Sequence, residues 1–204
     1  MIFVSTQEND LIKINLHNWR EYAEDKHKQV DDKPYGGGAG MLLKVEPIYK
    51  QLKTIDAIDH DDKTRVVMLS PDGKQFDQKE AERLSKYDRL VLLSGRYEGF
   101  DARVEEFVDE KISVGPYVLA GGELPALIVT EAVARHIPGV VGHEEALKDE
   151  TFSHGYDYGE YPQYTRPEVF VDDESREIKV PEVLISGDHK KIEEWKKENK
   201  KKIK

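Results

Sequence analysis

The 204-residue chain contains no cysteine, so disulfides and thiolate metal sites are excluded, an absence that suits a reducing cytosol. It has no uninterrupted apolar run near the roughly 18 residues a membrane-spanning helix needs. The opening Met1–Asp10 lacks the basic segment and apolar stretch of a secretory leader. A cytoplasmic protein with no membrane partner is therefore expected. Metal-ligand spacing is missing too: of seven histidines, His136 and His143 lie seven apart across Pro138-Gly139, which is not a two-histidine helical pair. There is no GxGxxG, and Gly36–Gly40 is not a phosphate-cradling P-loop because no Gly-Lys-Ser/Thr follows. Basic charge is in deficit, with 31 Lys and Arg against 41 Asp and Glu and a net charge of −10, which argues against a generic nucleic-acid binder. Distribution matters more than the sum. His189–Lys204 carries eight lysines against three glutamates, readable either as a solvated helix end or as an RNA-facing surface.

What is present has a clear rhythm. Arg65–Ser70 and Arg89–Ser94 are short apolar runs of strand type, leading into a turn at Pro71–Lys74 and a glycine loop at Gly95–Gly99. Between them, Asp77 caps a helix over Gln78–Ser85 with Ala81 and Leu84 inward. A second capped helix is expected after Asp101, with Val104, Phe107 and Val108 as its apolar stripe. Ile112–Gly115 and Tyr117–Ala120 then read as extended apolar chain leading to Gly121-Gly122. Alternating strand and helix predicts a parallel α/β sheet. A helix over about Leu124–Ile137 is apolar nearly all round, which predicts burial on most sides, a subunit interface being one way to achieve it. From His143 to Tyr164 the chain is acidic and rich in Gly and Tyr, like a linker. The domain reading is 1–142, a linker over 143–160, and a small C-terminal unit over 161–204.

Three glycine-bearing loops follow three apolar strands. In a parallel sheet such loops lie side by side at the carboxyl ends of the strands and form the ligand crevice. Glycine there lets backbone groups approach a ligand without an intervening Cβ. One such loop is ordinarily just a turn; three together point to a small-molecule cofactor held by backbone contacts.

The wording of the loops adds to this. VDDKPYGGGAGM (Val30–Met41), LSPDGKQFDQ (Leu69–Gln78), GRYEGFDARV (Gly95–Val104), SVGPYVLAGGELPA (Ser113–Ala126), IPGVVGHE (Ile137–Glu144), YPQYTRPEV (Tyr161–Val169) and VPEVLISGDH (Val180–His189) occur in that order. Together, from about Asn18 to His189, they resemble the bacterial tRNA (guanine-N1)-methyltransferase family.

The resemblance implies a parallel α/β sheet with a deep C-terminal trefoil knot (the SPOUT class), followed by a small, shortened α-helical C-terminal domain that binds tRNA. It implies a homodimer with active sites at the subunit interface. It also implies methyl transfer from S-adenosylmethionine to N1 of the guanine immediately 3′ of the anticodon. Carried over by position, the cofactor would be held by Leu69, Ser70 and Pro71, by Gly95, Tyr97 and Gly99, and by Val114, Gly115, Tyr117, Leu119, Gly121, Gly122 and Pro125. Leu69 and Val114 read equally well as plain core.

N1 of guanine must lose a proton before it attacks the methyl group, and a carboxylate within hydrogen-bond reach is the simplest base. The family's aspartate precedes a Ser/Thr-Phe pair. Here Glu150 stands at that position, with Asp149 one residue earlier, and Glu150 is preferred. A cation near O6 would stabilise developing negative charge, and the resemblance gives that role to Arg135. Its alternative partner is Glu131 at i, i+4, worth only about 0.2–0.5 kcal/mol. Glu98 would contact the target base or an associated Mg²⁺, or else serve simply as a charge at a helix start. RNA contacts fall to Tyr35, Gly36 and Gly37, and to Tyr161, Tyr164 and Arg166, since rings and guanidinium planes stack on unpaired bases. Pro116 departs from the family's acidic residue. Two alternatives share these residues: a knotted methyltransferase acting on another RNA site, and a cofactor- or RNA-binding relative without catalysis.

Overall fold

A computed structural model describes residues 10–141, 150–152 and 159–202. The chain divides into two compact units, Met1–Gly142 and His143–Lys204.

The first unit is built on three parallel strands: β3 (Thr64–Gln75), β4 (Arg89–Ser94) and β5 (Glu110–Ser113), in the order β4-β3-β5. β3 is central, and its side chains alternate between two cores, as the two-residue period of a strand requires. Val66 and Met68 face a cluster with Ile48, Leu52, Leu43 and Val104; Val67 and Leu69 face Ala81, Leu84, Ile112, Val129 and Val133. The first cluster is covered by α1 (Val45–Thr54), the second by α2 (Gln78–Leu84) and α3 (Glu123–Ala134). Helices on both faces are what a parallel sheet needs. A two-stranded ribbon, β1 (Asp31–Asp32) with β2 (Leu42–Leu43), precedes α1. Asp77 caps α2 by accepting from the Glu80 N–H at 3.0 Å, as expected.

Three local expectations need correction. Pro71–Lys74 is not a turn: β3 continues to Gln75 through a bulge, its register on Ile112 restarting at Lys74 after Leu69. Proline has no N–H to lose there, and a Cβ on Gly73 would lie 2.6 Å from the Ile112 nitrogen, so the bulge closes tightly on β5. The helix after Asp101 is a 3-10 segment (Ala102–Phe107), with the Asp101 side chain capping Arg103. A 3-10 helix rises further per residue, which helps a short connection cross β3. Tyr117–Ala120 forms no strand; Val118 is 84% exposed.

α3 ends at Ala134 rather than near Ile137, and its apolar surface is only half used. Val129 and Val133 are buried, whereas Leu124, Leu127 and Ile128 are 61%, 53% and 46% exposed at i, i+3, i+4 spacing.

The second unit is not purely helical. It holds an antiparallel hairpin, β6 (Val169–Val171) with β7 (Glu177–Lys179), then α4 (Glu182–Ile185) and α5 (His189–Glu198). The lysine-rich segment therefore begins as a helix, capped by Asp188 accepting from Lys191 N–H. Gly159 N–H donates to the Lys201 carbonyl at 2.7 Å, tying the start of the described segment to its end.

Candidate active site

The bulge within β3 and the loops leaving the carboxyl ends of β4 and β5 converge on one cavity of about 460 Å³. The β3 bulge contributes Leu69, Ser70 and Pro71, and the loop after β4 contributes Gly95, Tyr97, Glu98 and Gly99. The segment after β5 contributes Val114, Gly115, Tyr117, Leu119, Gly121 and Gly122, with Pro125 from the first turn of α3. Every residue expected to hold a cofactor thus lines the same space.

The convergence has a specific cause. After β5 the chain doubles back and docks on the loop following β4. Gly122 N–H donates to the Gly95 carbonyl at 2.8 Å, Ser94 Oγ donates to the Gly122 carbonyl at 3.1 Å, and Arg96 bridges Gly121. A Cβ on Gly122 would lie 2.6 Å from both Gly95 N and Ser94 Cα, so only glycine permits this approach. Outside the contact, Arg96 Nε donates to Glu123 at 2.8 Å.

The Gly-rich loop is attached to the same wall. Glu98 N–H donates to the Met41 carbonyl at 3.0 Å, Leu43 N–H to Gly99 at 2.8 Å, and Asp101 N–H to Leu43 at 2.9 Å. Gly36, Gly37, Gly38 and Gly40 all have positive φ, and Tyr35 is fully exposed at the loop's start. The Glu98 side chain lies against Gly40, where an added Cβ would come within 2.3 Å of its Cγ.

Sequence reasoning missed the cavity's charged fringe. Asp72, Glu98, Asp101 and Glu105 line it against Arg96 and Lys111, and of these only Glu98 was singled out. The Lys111 ammonium and the Ser70 hydroxyl hold the Asp72 carboxyl below the usual carboxylate range. Hydrogen bonds from Arg103 do the same for Asp101. Asp72 and Lys111 are 39 residues apart, so no local pattern could pair them before the strand order was known.

Arg135 does not line the cavity; it is the half-buried C-cap of α3. Ten helical residues beyond Pro125 place it about 15 Å along the axis. Glu150 belongs to the second unit, next to Thr151, whose N–H donates to Glu160 at 3.2 Å. Asp149 and His143 lie outside the described residues. In the second unit Lys196 Nζ sits 5.3 Å from the centre of the Tyr161 ring, Tyr164 packs on Trp195 at 6.3 Å, and Arg166 is exposed. Among the described residues, no cluster of three or more His, Asp and Glu side chains is placed to hold a metal, and no helix is long and apolar enough to cross a membrane.

Residues 1–204 match the family described as tRNA (Guanine-1)-methyltransferase TrmD. The chain is 45% identical over 194 residues to the tRNA (guanine-N(1)-)-methyltransferase of Dictyoglomus turgidum, spanning 95% of this chain and 75% of that protein. It is 46% identical over 200 residues to the protein of the same name from Staphylococcus aureus, spanning 98% of this chain and 78% of the relative. A parallel α/β core whose β3 bulge meets the loops after β4 and β5, together with similarity of this extent, makes the chain a member of the tRNA (guanine-1)-methyltransferase family.

Proposed function

We propose that this chain is a methyltransferase that modifies N1 of guanine in tRNA, taking the methyl group from S-adenosylmethionine and acting on the guanine 3′ of the anticodon. The observation that carries the reading is the convergence of the β3 bulge and the two loops that follow β4 and β5, these two bonded to each other, on one cavity. A volume of about 460 Å³ suits a nucleoside-sized ligand. Four lining carboxylates against two cations suit a ligand carrying positive charge, as a sulfonium does. S-adenosylmethionine, when bound, supplies an electrophilic methyl group.

The protein's own part is to bind, orient and move a proton. Ser70, Gly95, Tyr117 and Gly121, which line the cavity from three segments of chain, would hold the donor. Guanine N1 is deprotonated by Glu150, or by Asp149 beside it, and Arg135 offsets the charge that gathers on O6. Because Arg135 lies at the far end of α3 from its own cavity, the reading requires Arg135 of the partner subunit. The bare face of Leu124, Leu127 and Ile128 supports a homodimer formed through α3. The return of the chain from β5 to the β4 loop supports the deep trefoil knot expected for the class. Tyr35, Gly36 and Gly37 of the first unit would contact the RNA, as would Tyr161, Tyr164 and Arg166 with the lysine-rich end of the second unit. Mg²⁺ commonly uses one or two carboxylates plus substrate oxygens; Glu98 could supply one, and no step depends on it. A cytoplasmic location follows from the substrate.

Labelled S-adenosylmethionine incubated with tRNA transcripts that have or lack guanine 3′ of the anticodon tests the proposal. Label is expected only on the first. Label on both would redirect the activity to another RNA site, and label on neither would leave a binding protein.

A further inference from the structure

The bonds that join one group of charged side chains at the cavity have a consequence beyond the charge balance of its lining. Asp72, at the crest of the β3 bulge, accepts from Ser70 Oγ at 2.5 Å and from Lys111 Nζ at 2.8 Å. Lys111, on β5, also donates to Glu105 at 3.0 Å, on the 3-10 segment that crosses β3. All four line the cavity. The bulge they hold carries Ser70 and Pro71, and between Leu69 and Lys74 it has no ladder pairing with β5. Its position depends on what grips its crest. Gly73 packs so closely on the β5 backbone that a Cβ there would lie 2.6 Å from Ile112 N, and the Asp72–Lys111 bond is a second tie to β5.

We propose that Asp72 and Lys111 form a clasp that positions the donor-binding wall of the cavity, Asp72 acting as a positioning residue through Ser70 and Pro71. The inference rests on the reading of the cavity as the methyl-donor site. It has a chemical corollary. The Ser70 hydroxyl spends its proton on Asp72, so it turns acceptor lone pairs toward a ligand. The group it meets is an N–H or O–H donor, such as an exocyclic amine or a sugar hydroxyl.

A double-mutant cycle with the full chain tests the clasp. S-adenosylmethionine is titrated calorimetrically into the wild type, Asp72→Asn, Lys111→Met and the double variant, each first shown to unfold cooperatively. Each single change is expected to weaken donor binding about fivefold, the scale of a partly exposed charged pair. The double variant should be no weaker than the weaker single one, because both remove the same bond. In steady-state kinetics the loss should fall on KM for the donor and not on kcat, and Lys111→Arg should restore it. Additive losses would mean that the two residues touch the ligand independently, and unchanged affinity would mean that the bulge holds itself; either overturns the clasp. A wild type that binds no S-adenosylmethionine would instead remove the reading beneath it.

Discussion

Gly122 and Gly95 meet backbone to backbone: the N–H of Gly122 donates to the Gly95 carbonyl at 2.8 Å, across 27 residues of chain that include the whole of β5. That one contact brings the loop of an edge strand, β5, to the loop of the opposite edge, β4, over the end of the central strand. The cavity is the space left beneath the crossing.

Gly122→Ala should therefore damage the site far more than a single methyl group suggests. The new Cβ would meet backbone atoms of Ser94 and Gly95 at 2.6 Å, and backbone cannot swing aside as a side-chain tip can. Overpacking of this kind costs about 1–3 kcal/mol. Thermal unfolding should move down accordingly, and donor affinity measured by calorimetry should fall by more than about tenfold. A variant that keeps wild-type affinity would show that the two loops can separate without opening the cavity.

Part of this was legible without coordinates. β3, β4 and the Asp77-capped α2 could be read because their signals are local: a short apolar run, a cap and a helical stripe. The three loops could be read as converging because parallel strands place their carboxyl ends together. The bulge at Pro71–Gly73 could not be, since Pro-Asp-Gly spells a turn and only the backbone of β5 makes it a strand. The same holds for the Asp72–Lys111 bond, which exists only through the strand order. Helix α1 buries only Ile48 and Leu52 as large apolar side chains, at i, i+4, a stripe too short to mark it locally. Hairpin β6–β7 was lost because all six of its residues are exposed, so no inward-outward alternation marks it.

Glu80 predicts how stability depends on pH. Its side chain is 8% exposed and receives Lys74 at 2.5 Å and Arg83 at 2.7 Å; Arg83 also bonds Glu110 at 2.7 Å. Burial opposes ionisation of Glu80, but the bonds from Arg83 and Lys74 outweigh it and hold the carboxyl below its ordinary range. A depressed folded-state pKa stabilises the protein above the unfolded value, near 4.3, and that stabilisation is lost as pH falls through the folded value. Glu80→Gln should cost roughly 2 kcal/mol at pH 7. In urea unfolding the gap between wild type and variant should stay level down to about pH 5.5 and close below about pH 4. A gap independent of pH would show that the charge of Glu80 contributes nothing.

Gly40→Ala separates the Gly-rich loop from donor binding. Its Cβ would come within 2.3 Å of Glu98 Cγ and 2.6 Å of Oε1, and the residue sits at φ +82°, a conformation alanine adopts only with strain. The flexible Glu98 side chain must give way. Since Glu98 is read as facing the target base, the expected outcome is a fall in kcat of about tenfold or more with donor affinity within about twofold of wild type. Equal losses in both measurements would show that Glu98 and the Gly-rich loop serve the cavity as a whole.

The bare face of α3 carries the strongest consequence for assembly. Leu124, Leu127 and Ile128 expose one contiguous apolar stripe, and Arg135 ends the same helix at a distance from its own cavity. If two α3 helices pack together, each Arg135 is carried toward the other subunit's cavity. Leu127→Glu should then give a monomer by light scattering and abolish methyl transfer while each cavity still binds donor. A sharper test uses two variants, Arg135→Ala and Gly122→Ala, at a donor concentration low enough that neither methylates tRNA alone. One lacks the arginine and the other the cavity, so a mixed dimer holds one complete site, formed between the intact cavity of the first and the intact arginine of the second. Unfolding and reannealing an equal mixture should restore about a quarter of the wild-type rate, since half of the dimers are mixed and each has one site of two. No recovery, with mixed dimers demonstrated by tagged subunits, would mean that Arg135 serves its own chain and that the fold must bend to bring it there.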